Sequence, residues 1–422
     1  MLASRKRELG CEKNGVVSKD LYLTGREAAD ELGVKLPTLY AYVSRGLIRS
    51  EPAGRTGRNR RYRAEDVWKL KERKEQRRDP SRLTENALHW GTPVMESAIT
   101  LIADGRLYYR GRDAVALSKN HTLEQVAELI WTGRFPEGES AIFGSVSDAL
   151  APCSQAVNEV SRDLAPVENF GVSLQLAAAR DTMAYDLRPT AVARTGARIL
   201  RLLAATAVGG GSAETGVART LQQGWVPDEP QAAALLDAAL VLCADHELNV
   251  SSFTARCVAS AGTTPYAVTI ASLCALSGVK HGGNTGRVEA FLKEVGTAAR
   301  ARDVIAGRLR RGEPIPGFGH PLYPEGDPRG RALLEAAAAA YPEAPAVELA
   351  STVVEEASEL IGERPTIDFG LVILSLALGL PLGGALALFA LGRTVGWIGH
   401  AIEQYQSDQM IRPRARYIGE QP

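Results

Sequence analysis

Beyond Thr84 the apolar residues recur at three- and four-residue intervals, as in "LEQVAELIWTGRF", "QAAALLDAALVLCADHEL" and "VVEEASELIG". That spacing lines one face of an α-helix, so this long region is expected to be almost all helix. Alternating strand patterns are nearly absent apart from "SAITLIADGRLYYRG", which predicts a small hairpin. The stretch "RLLAATAVGGGSAETG" marks a loop near Gly209, and there is no internal repeat and no long low-complexity linker.

One apolar run raises the question of a membrane. Phe369 to Gly392, "FGLVILSLALGLPLGGALALFALG", carries no charge and is long enough to span a bilayer. Pro381 and its flanking glycines interrupt it, however, so two buried helices joined by a turn are expected, and no membrane.

The first 80 residues follow a different pattern. In "LYLTGREAADELGVKLPTLYAYVSRGLIRS", Thr24 and Glu27 form a capping box opening a short helix that Gly33 ends. A second helix begins near Leu36, with Pro37 in its first turn, and runs to about Arg45. A Gly/Arg hairpin, a strand centred on Tyr62 and a charged helix from Ala64 come next. Two helices joined by a glycine turn make a helix-turn-helix.

Length and charge sharpen this division. A chain of 422 residues, 45% hydrophobic and 23% charged, is expected to fold into two or more domains and is neither a disordered segment nor a coiled-coil rod. Net charge is zero, yet residues 1–80 hold 20 Lys and Arg against 12 Asp and Glu, leaving 29 against 37 for the rest. The chain is a basic head on an acidic body. Its five cysteines (Cys11, Cys153, Cys243, Cys257 and Cys274) are scattered without ligand spacing, which suits reduced thiols in a cytoplasmic protein and no metal. "MLASRKRELG" has no apolar core after its basic residues, so no secretory signal is expected.

The candidate chemistry lies among six histidines. His89, His121 and His400 are read as satisfied surface or core residues. His246 in "CADHELN", His281 in "VKHGGNTG" and His320 in "GFGHPLY" sit in loop-like or capped stretches instead. Loops of that kind are poor places for packing histidines and good ones for meeting a ligand. In "RPTIDFG", Asp368 heads the uncharged segment, where burial would raise its pKa and make it a usable base. Arg329, Arg393 and Arg412 supply forks suited to carboxylates. Imidazoles, cations and one carboxylate base suit a dianionic acid substrate and carbon-acid chemistry.

The head resembles the winged helix-turn-helix of MerR-type regulators and phage excisionases across roughly residues 20 to 78, through "EAAxxLGV…TLYxYVxRGLI…RRYRAEDV". That resemblance implies binding of double-stranded DNA, with Lys35, Thr38, Tyr40 and Arg45 approaching the major groove and Arg58, Arg60 and Arg61 on the phosphates. The body resembles citrate synthase from about residue 90 to the C-terminus, through "SAITLIADGRLYYRGRDAVAL", "ALVLCADHELNVSSFTAR", "KHGGN", "PGFGHPLYPEGDPR", "RPTIDFG" and "GRTVGWIGHAIEQYQSDQMIRPRARYIG". It implies an all-α homodimer of a large and a smaller helical domain. The expected domains are 1–80 for the head and 81–422 for the body, with the small domain at roughly 282–378.

Carried onto this sequence, the body's resemblance makes Asp368 the base that takes a proton from the acetyl-CoA methyl group. His281 would hydrogen-bond the thioester oxygen, and His320 would polarise and protonate the oxaloacetate carbonyl. His246, Arg329 and Arg393 would hold the dicarboxylate, with Arg412 arriving from the other subunit. Gly317, Phe318 and Gly319 would let the backbone approach coenzyme A, a co-substrate, with no permanently bound cofactor. Four departures stand out: Pro321 and Pro324 where the family commonly has basic residues, Cys243 where it has a histidine, and "HGGNTGR" where it has a small-residue and acidic continuation. The expected activity is citrate formation from oxaloacetate and acetyl-CoA. The alternatives are 2-methylcitrate synthesis from propionyl-CoA, and a regulator using the body as a metabolite sensor.

Overall fold

The structure is a computed structural model describing residues 22–52, 60–64, 66–67, 70, 95–146, 150–161, 163–211 and 215–421. It divides into two compact units, Met1–Glu96 and Ser97–Pro422.

In the first unit, strand Tyr22–Thr24 leads into helix Gly25–Glu31 and helix Leu36–Ser44, followed by strands Ser50–Pro52 and Arg60–Arg63. The capping box forms as expected: the Thr24 hydroxyl accepts from the Glu27 amide at 3.3 Å, and the Glu27 carboxylate accepts from the Thr24 amide at 2.8 Å. Gly33 takes φ +59°, the left-handed turn that separates the two helices. Arg60–Arg63 is the central strand, pairing antiparallel with both others, Tyr62 lying opposite Leu23 and Ser50. Ala28, Ala29, Leu32, Leu39, Ile48, Tyr62 and Val67 close a small core. The helix expected from Ala64 begins there, but most of it lies outside the described residues.

The second unit is helical, as its 3.6-residue periodicity predicts, except for a three-stranded sheet of Thr100–Ala103, Arg106–Tyr109 and Arg112–Asp113. Asp104 and Gly105 join the first two strands with φ of +51° and +70°, the two-residue turn that matches strand twist. The uncharged segment splits where Pro381 predicts. Helix Ile367–Leu378 stops at Gly379, in the left-handed conformation, and helix Gly384–Ser407 starts after Gly383. The second helix is long and apolar enough to cross a membrane, yet it is almost wholly buried inside the unit. Around it pack helices Pro189–Ala207, Ala232–Cys243, Val250–Ala259 and Pro265–Leu276. Leu388, Val395, Trp397 and Ile398 are fully enclosed, and burying each contributes roughly 1.5–3 kcal/mol. Gly396 is needed at the closest approach: its amide donates to Ala244 O at 2.9 Å, and a β-carbon there would collide with Ala244 and Asp245. Cys153, Cys243, Cys257 and Cys274 are free thiols, and Cys11 lies outside the described residues.

Candidate active site

The "GFGH" loop and the segment carrying Asp368 are built as one piece. Phe318 bridges Pro365, the Gly319 amide donates to Arg364 O at 3.0 Å, and the Thr366 amide donates to Gly317 O at 2.8 Å. The loop ending at His320 and the segment leading into the helix that carries Asp368 therefore brace each other. Gly317 has φ +85°, and a β-carbon would press on Val288 and Phe369. Its glycine is thus required by the protein's own packing, besides any approach of a ligand.

Asp327 supplies the next anchor. It caps helix Pro328–Ala340 by accepting from the Arg329 amide at 3.0 Å and accepts from the Ile367 amide at 3.1 Å. The same carboxylate takes the Arg329 guanidinium in a fork, at 2.9 Å to Nε and 2.8 Å to Nη2. Both side chains are buried. The fork expected to be open for a ligand is therefore largely spent on Asp327, leaving Nη1. Arg393 is different: its Nε donates to Cys243 O at 2.8 Å, while the buried Nη2 has no hydrogen-bond partner. A buried guanidinium donor left unpaired is costly until an acceptor arrives.

The three histidines converge. His246 and His320 meet edge to face with ring centroids 5.3 Å apart, and Tyr323 OH lies 3.0 Å from His246 Nε2. The His281 ring sits edge-on to Phe389 at 5.8 Å, and the same Phe389 ring underlies the Arg393 guanidinium at 5.0 Å. Ser251 Oγ lies 2.8 Å from His281 Nε2 and accepts from Trp397 Nε1 at 3.1 Å.

Electrostatics follow from this enclosure. Burial, with Arg393 and Arg329 nearby, pulls His281 down to about 3; burial and Arg329 pull His320 down to about 4. His246 is held well below the usual histidine value by burial and the same two arginines. All three imidazoles are neutral at pH 7. Asp368 moves the other way: burial lifts it to about 6 against the pull of Asn284, Arg329 and Thr366. Its Oδ1 has no well-formed hydrogen bond. The arrangement is a carboxylate base near neutrality, neutral imidazole donors and an unpaired guanidinium.

The remaining predicted residues lie elsewhere. Arg412 is on the exposed segment after Ser407 and does not join this cluster within its own chain. His121 stacks edge-on against Phe135, His400 is buried in the core, and His89 lies outside the described residues. Among the described residues no group of His, Cys, Asp and Glu could hold a metal ion. In the first unit Lys35, Thr38, Tyr40 and Arg45 are all exposed. Arg45 caps the C-terminus of helix Leu36–Ser44, seven positions and so nearly two full turns beyond Thr38, whereas Tyr40, two positions from Thr38, lies on the opposite flank of the helix. Arg60 donates to Ser50 O at 3.3 Å, Arg61 pairs with Glu51 at 3.5 Å over the Tyr22 ring, and Arg58 lies outside the described residues.

Sequence reasoning missed Ser251, Tyr323, Asp327 and Trp397. Only Asp327 left a signal, in "DPR" at the start of a helix, where Asp caps and Pro occupies the first turn.

Comparison with known proteins agrees with this picture. The family described as "Citrate synthase, C-terminal domain" matches residues 87–414, and "Helix-turn-helix domain" matches residues 22–75. The chain is 31% identical to the citrate synthase of Haloferax volcanii over 361 residues, covering 78% of this chain and 94% of that protein. The crystal structure of citrate synthase from Thermotoga maritima is similar at TM-score 0.66 and 26% identity, covering 79% of this chain and 95% of that one. A ternary complex of the Thermoplasma acidophilum enzyme with carboxymethyl coenzyme A and oxaloacetate shares the fold, at TM-score 0.66 and 22% identity, over 78% of this chain and 95% of that one.

Proposed function

The chain belongs to the citrate synthase family, and on that footing we propose that it condenses oxaloacetate with acetyl-CoA and water to give citrate and coenzyme A. The observation that carries this reading is the enclosed set of three neutral imidazoles beside a carboxylate lifted to about 6.

Asp368 takes a proton from the methyl group of the thioester. His281 donates to the thioester oxygen as the enol forms. The tautomer is assigned from its neighbours. The Ser251 hydroxyl lies 2.8 Å from both Asn249 Oδ1 and His281 Nε2 and has one proton to give. Asn249 Oδ1 already accepts from the Ser251 and Ser252 amides, at 3.0 and 3.1 Å, so we assign that proton to His281 Nε2, which leaves the ring proton on Nδ1. His320 is set the other way round, because the Leu322 amide donates to its Nδ1 at 3.2 Å and leaves the proton on Nε2. The enol carbon attacks the ketone carbon of oxaloacetate while His320 delivers that proton to the carbonyl oxygen. Water then cleaves the thioester of citryl-CoA, releasing the thiol.

His246, Arg329 Nη1 and the unpaired Arg393 Nη2 bind the dicarboxylate, and Arg412 of a second copy completes the charge. Gly317, Phe318 and Gly319 face coenzyme A, with the small domain, residues 282–378, closing over both substrates. The exposed cations of the head support binding of double-stranded DNA as an added role. Thiol release from acetyl-CoA or propionyl-CoA in the presence of oxaloacetate tests the reaction. Release with acetyl-CoA favoured is expected; preference for propionyl-CoA would make it a 2-methylcitrate synthase, and release from neither would leave the sensor reading.

A further inference from the structure

The peptide carrying His246 is pinned by groups that take no part in the proposed reaction. Asp245 is fully buried. Its Oδ2 accepts from Thr100 Oγ1 at 2.6 Å, on the first strand of the hairpin. Its Oδ1 faces His400 Nε2 at 3.2 Å, on the long C-terminal helix, and Ser252 Oγ at 3.4 Å. Tyr109, on the second hairpin strand, donates its hydroxyl towards Asp245 O at 3.2 Å and Leu242 O at 3.3 Å. The Gly396 amide holds Ala244 O at 2.9 Å. Immediately beyond His246, Glu247 takes φ +52°, a left-handed conformation that persists in a non-glycine residue when its surroundings over-determine it.

We propose that Asp245, His400 and Thr100 act together as a positioning device that sets the His246 imidazole against the oxaloacetate subsite. Burial alone would raise the Asp245 carboxyl, but its surroundings, His400, Arg393 and the Thr100 hydroxyl among them, hold it below its ordinary value, so it is ionised and the bonds it accepts from Thr100 and Ser252 are charge-assisted. A buried carboxylate enclosed in this way adds little net stability over an apolar replacement, whereas it fixes geometry sharply. The geometry fixed here is that of residues 244–247. Two structural units that otherwise look like scaffolding, the hairpin and the C-terminal helix, thereby set where His246 stands relative to Tyr323 and His320. His400 is a core residue, as its sequence context suggests, with this further consequence.

The inference rests on the proposed reaction, and oxaloacetate affinity is what it predicts will change. Misplacing a binding group by about 1 Å costs on the order of 100-fold. In the full-length chain, Thr100→Val and Asp245→Asn are expected to raise the KM for oxaloacetate between about 10- and 100-fold, while the KM for acetyl-CoA stays within about 2-fold. Asp245→Asn combined with His400→Gln should be no worse than the more damaging single change, because the two act as one unit. Tyr266→Phe, which deletes a buried hydrogen bond to Asp181 at 2.9 Å, serves as the stability control and should lower the melting temperature without altering either KM. An unchanged oxaloacetate KM in Thr100→Val and Asp245→Asn, a parallel rise in both KM values, or the same selective rise in Tyr266→Phe would each overturn the proposal. If Asp245→Asn does not fold, Thr100→Val, which exchanges one hydroxyl for a methyl, decides. If the unmodified chain turns over no substrate, the reaction is what has failed; calorimetric oxaloacetate binding by the same variants then decides the positioning role, a loss in Thr100→Val supporting it and wild-type affinity overturning it.

Discussion

The two units hold their functional charges in opposite ways. In the body, Arg329, Arg393, His246 and Asp245 are buried, and burial is the largest influence on every titrating group of the site. In the head, Lys35, Arg45, Arg60 and Arg61 are exposed to water. Carbon-acid chemistry needs neutral imidazoles and a carboxylate of raised basicity, which burial supplies here, helped at the imidazoles by the neighbouring arginines. A polyanion needs cations that remain solvated until they displace its counterions. Single changes in the body should therefore be large and specific to one step, and changes in the head graded and dependent on salt.

The largest effect is expected from Asp368→Asn. Turnover should fall by roughly 10²–10⁴-fold, with oxaloacetate binding measured by calorimetry largely intact. The same change tests the burial argument through stability. A carboxyl whose folded pKa is raised to about 6 stabilises the fold fully at pH values below its unfolded pKa, and that contribution is lost as pH rises through about 6. Asparagine carries no such loss, so the variant should melt higher than the parent at pH 7 and lose that advantage near pH 4. Near wild-type turnover would remove Asp368 as the base.

Next in size is the rescue of one inactive chain by another. Arg412→Ala and Asp368→Asn chains should each be nearly inactive alone, and mixed dimers should regain activity because one of their two sites recovers both groups. Dimers shown to have mixed and yet inactive would place the arginine's action within its own chain.

The pH profile is a smaller and more continuous measure. Because the base must be ionised, kcat/KM should fall about tenfold per pH unit below about 6, without a matching loss of the folded state. A profile flat to pH 5 would mean that burial does not govern Asp368 in solution.

How far the sequence could be read differs between the units for the same physical reason. The helices, the hairpin at Asp104 and the break at Pro381 were legible because periodicity and turn chemistry are local. His246, His281, His320, Asp368 and Arg393 stood out because unusual residues sat in breakable or apolar contexts; the fold sets His246 against His320 and puts His281 and Arg393 on the same Phe389 ring. Ser251, Tyr323 and the Asp245–His400 pair were not, since a hydroxyl or carboxylate meeting a partner 30 to 155 positions away leaves no spacing to detect. Arg329 was read as a free fork because its competitor, Asp327, looks like an ordinary helix cap. In the head, exposure was legible from charge, but the separation of Tyr40 from Thr38 needed the helix bounds.

That separation gives the smallest and most discriminating test. If the head docks as helix-turn-helix proteins do, two copies in a dimer should favour half-sites about one helical turn, or a multiple, apart. Replacing Arg58, Arg60 and Arg61 with alanine should weaken binding to every duplex and reduce the log–log salt slope by about 0.9 for each phosphate that is no longer neutralised. Arg61 already pairs with Glu51, so its share of that reduction should be below that of Arg58. Thr38→Val should instead change which sequence is preferred, by about 1–3 kcal/mol at one base position. Tyr40→Phe, on the other flank of the helix, should leave that preference unchanged. Selection from a random duplex pool at low ionic strength measures all of these together. If Tyr40→Phe shifts the selected sequence and Thr38→Val does not, the opposite flank enters the groove; if no duplex is retained at all, the exposed charges of the head serve solubility or docking, and the contrast with the body is one of burial alone.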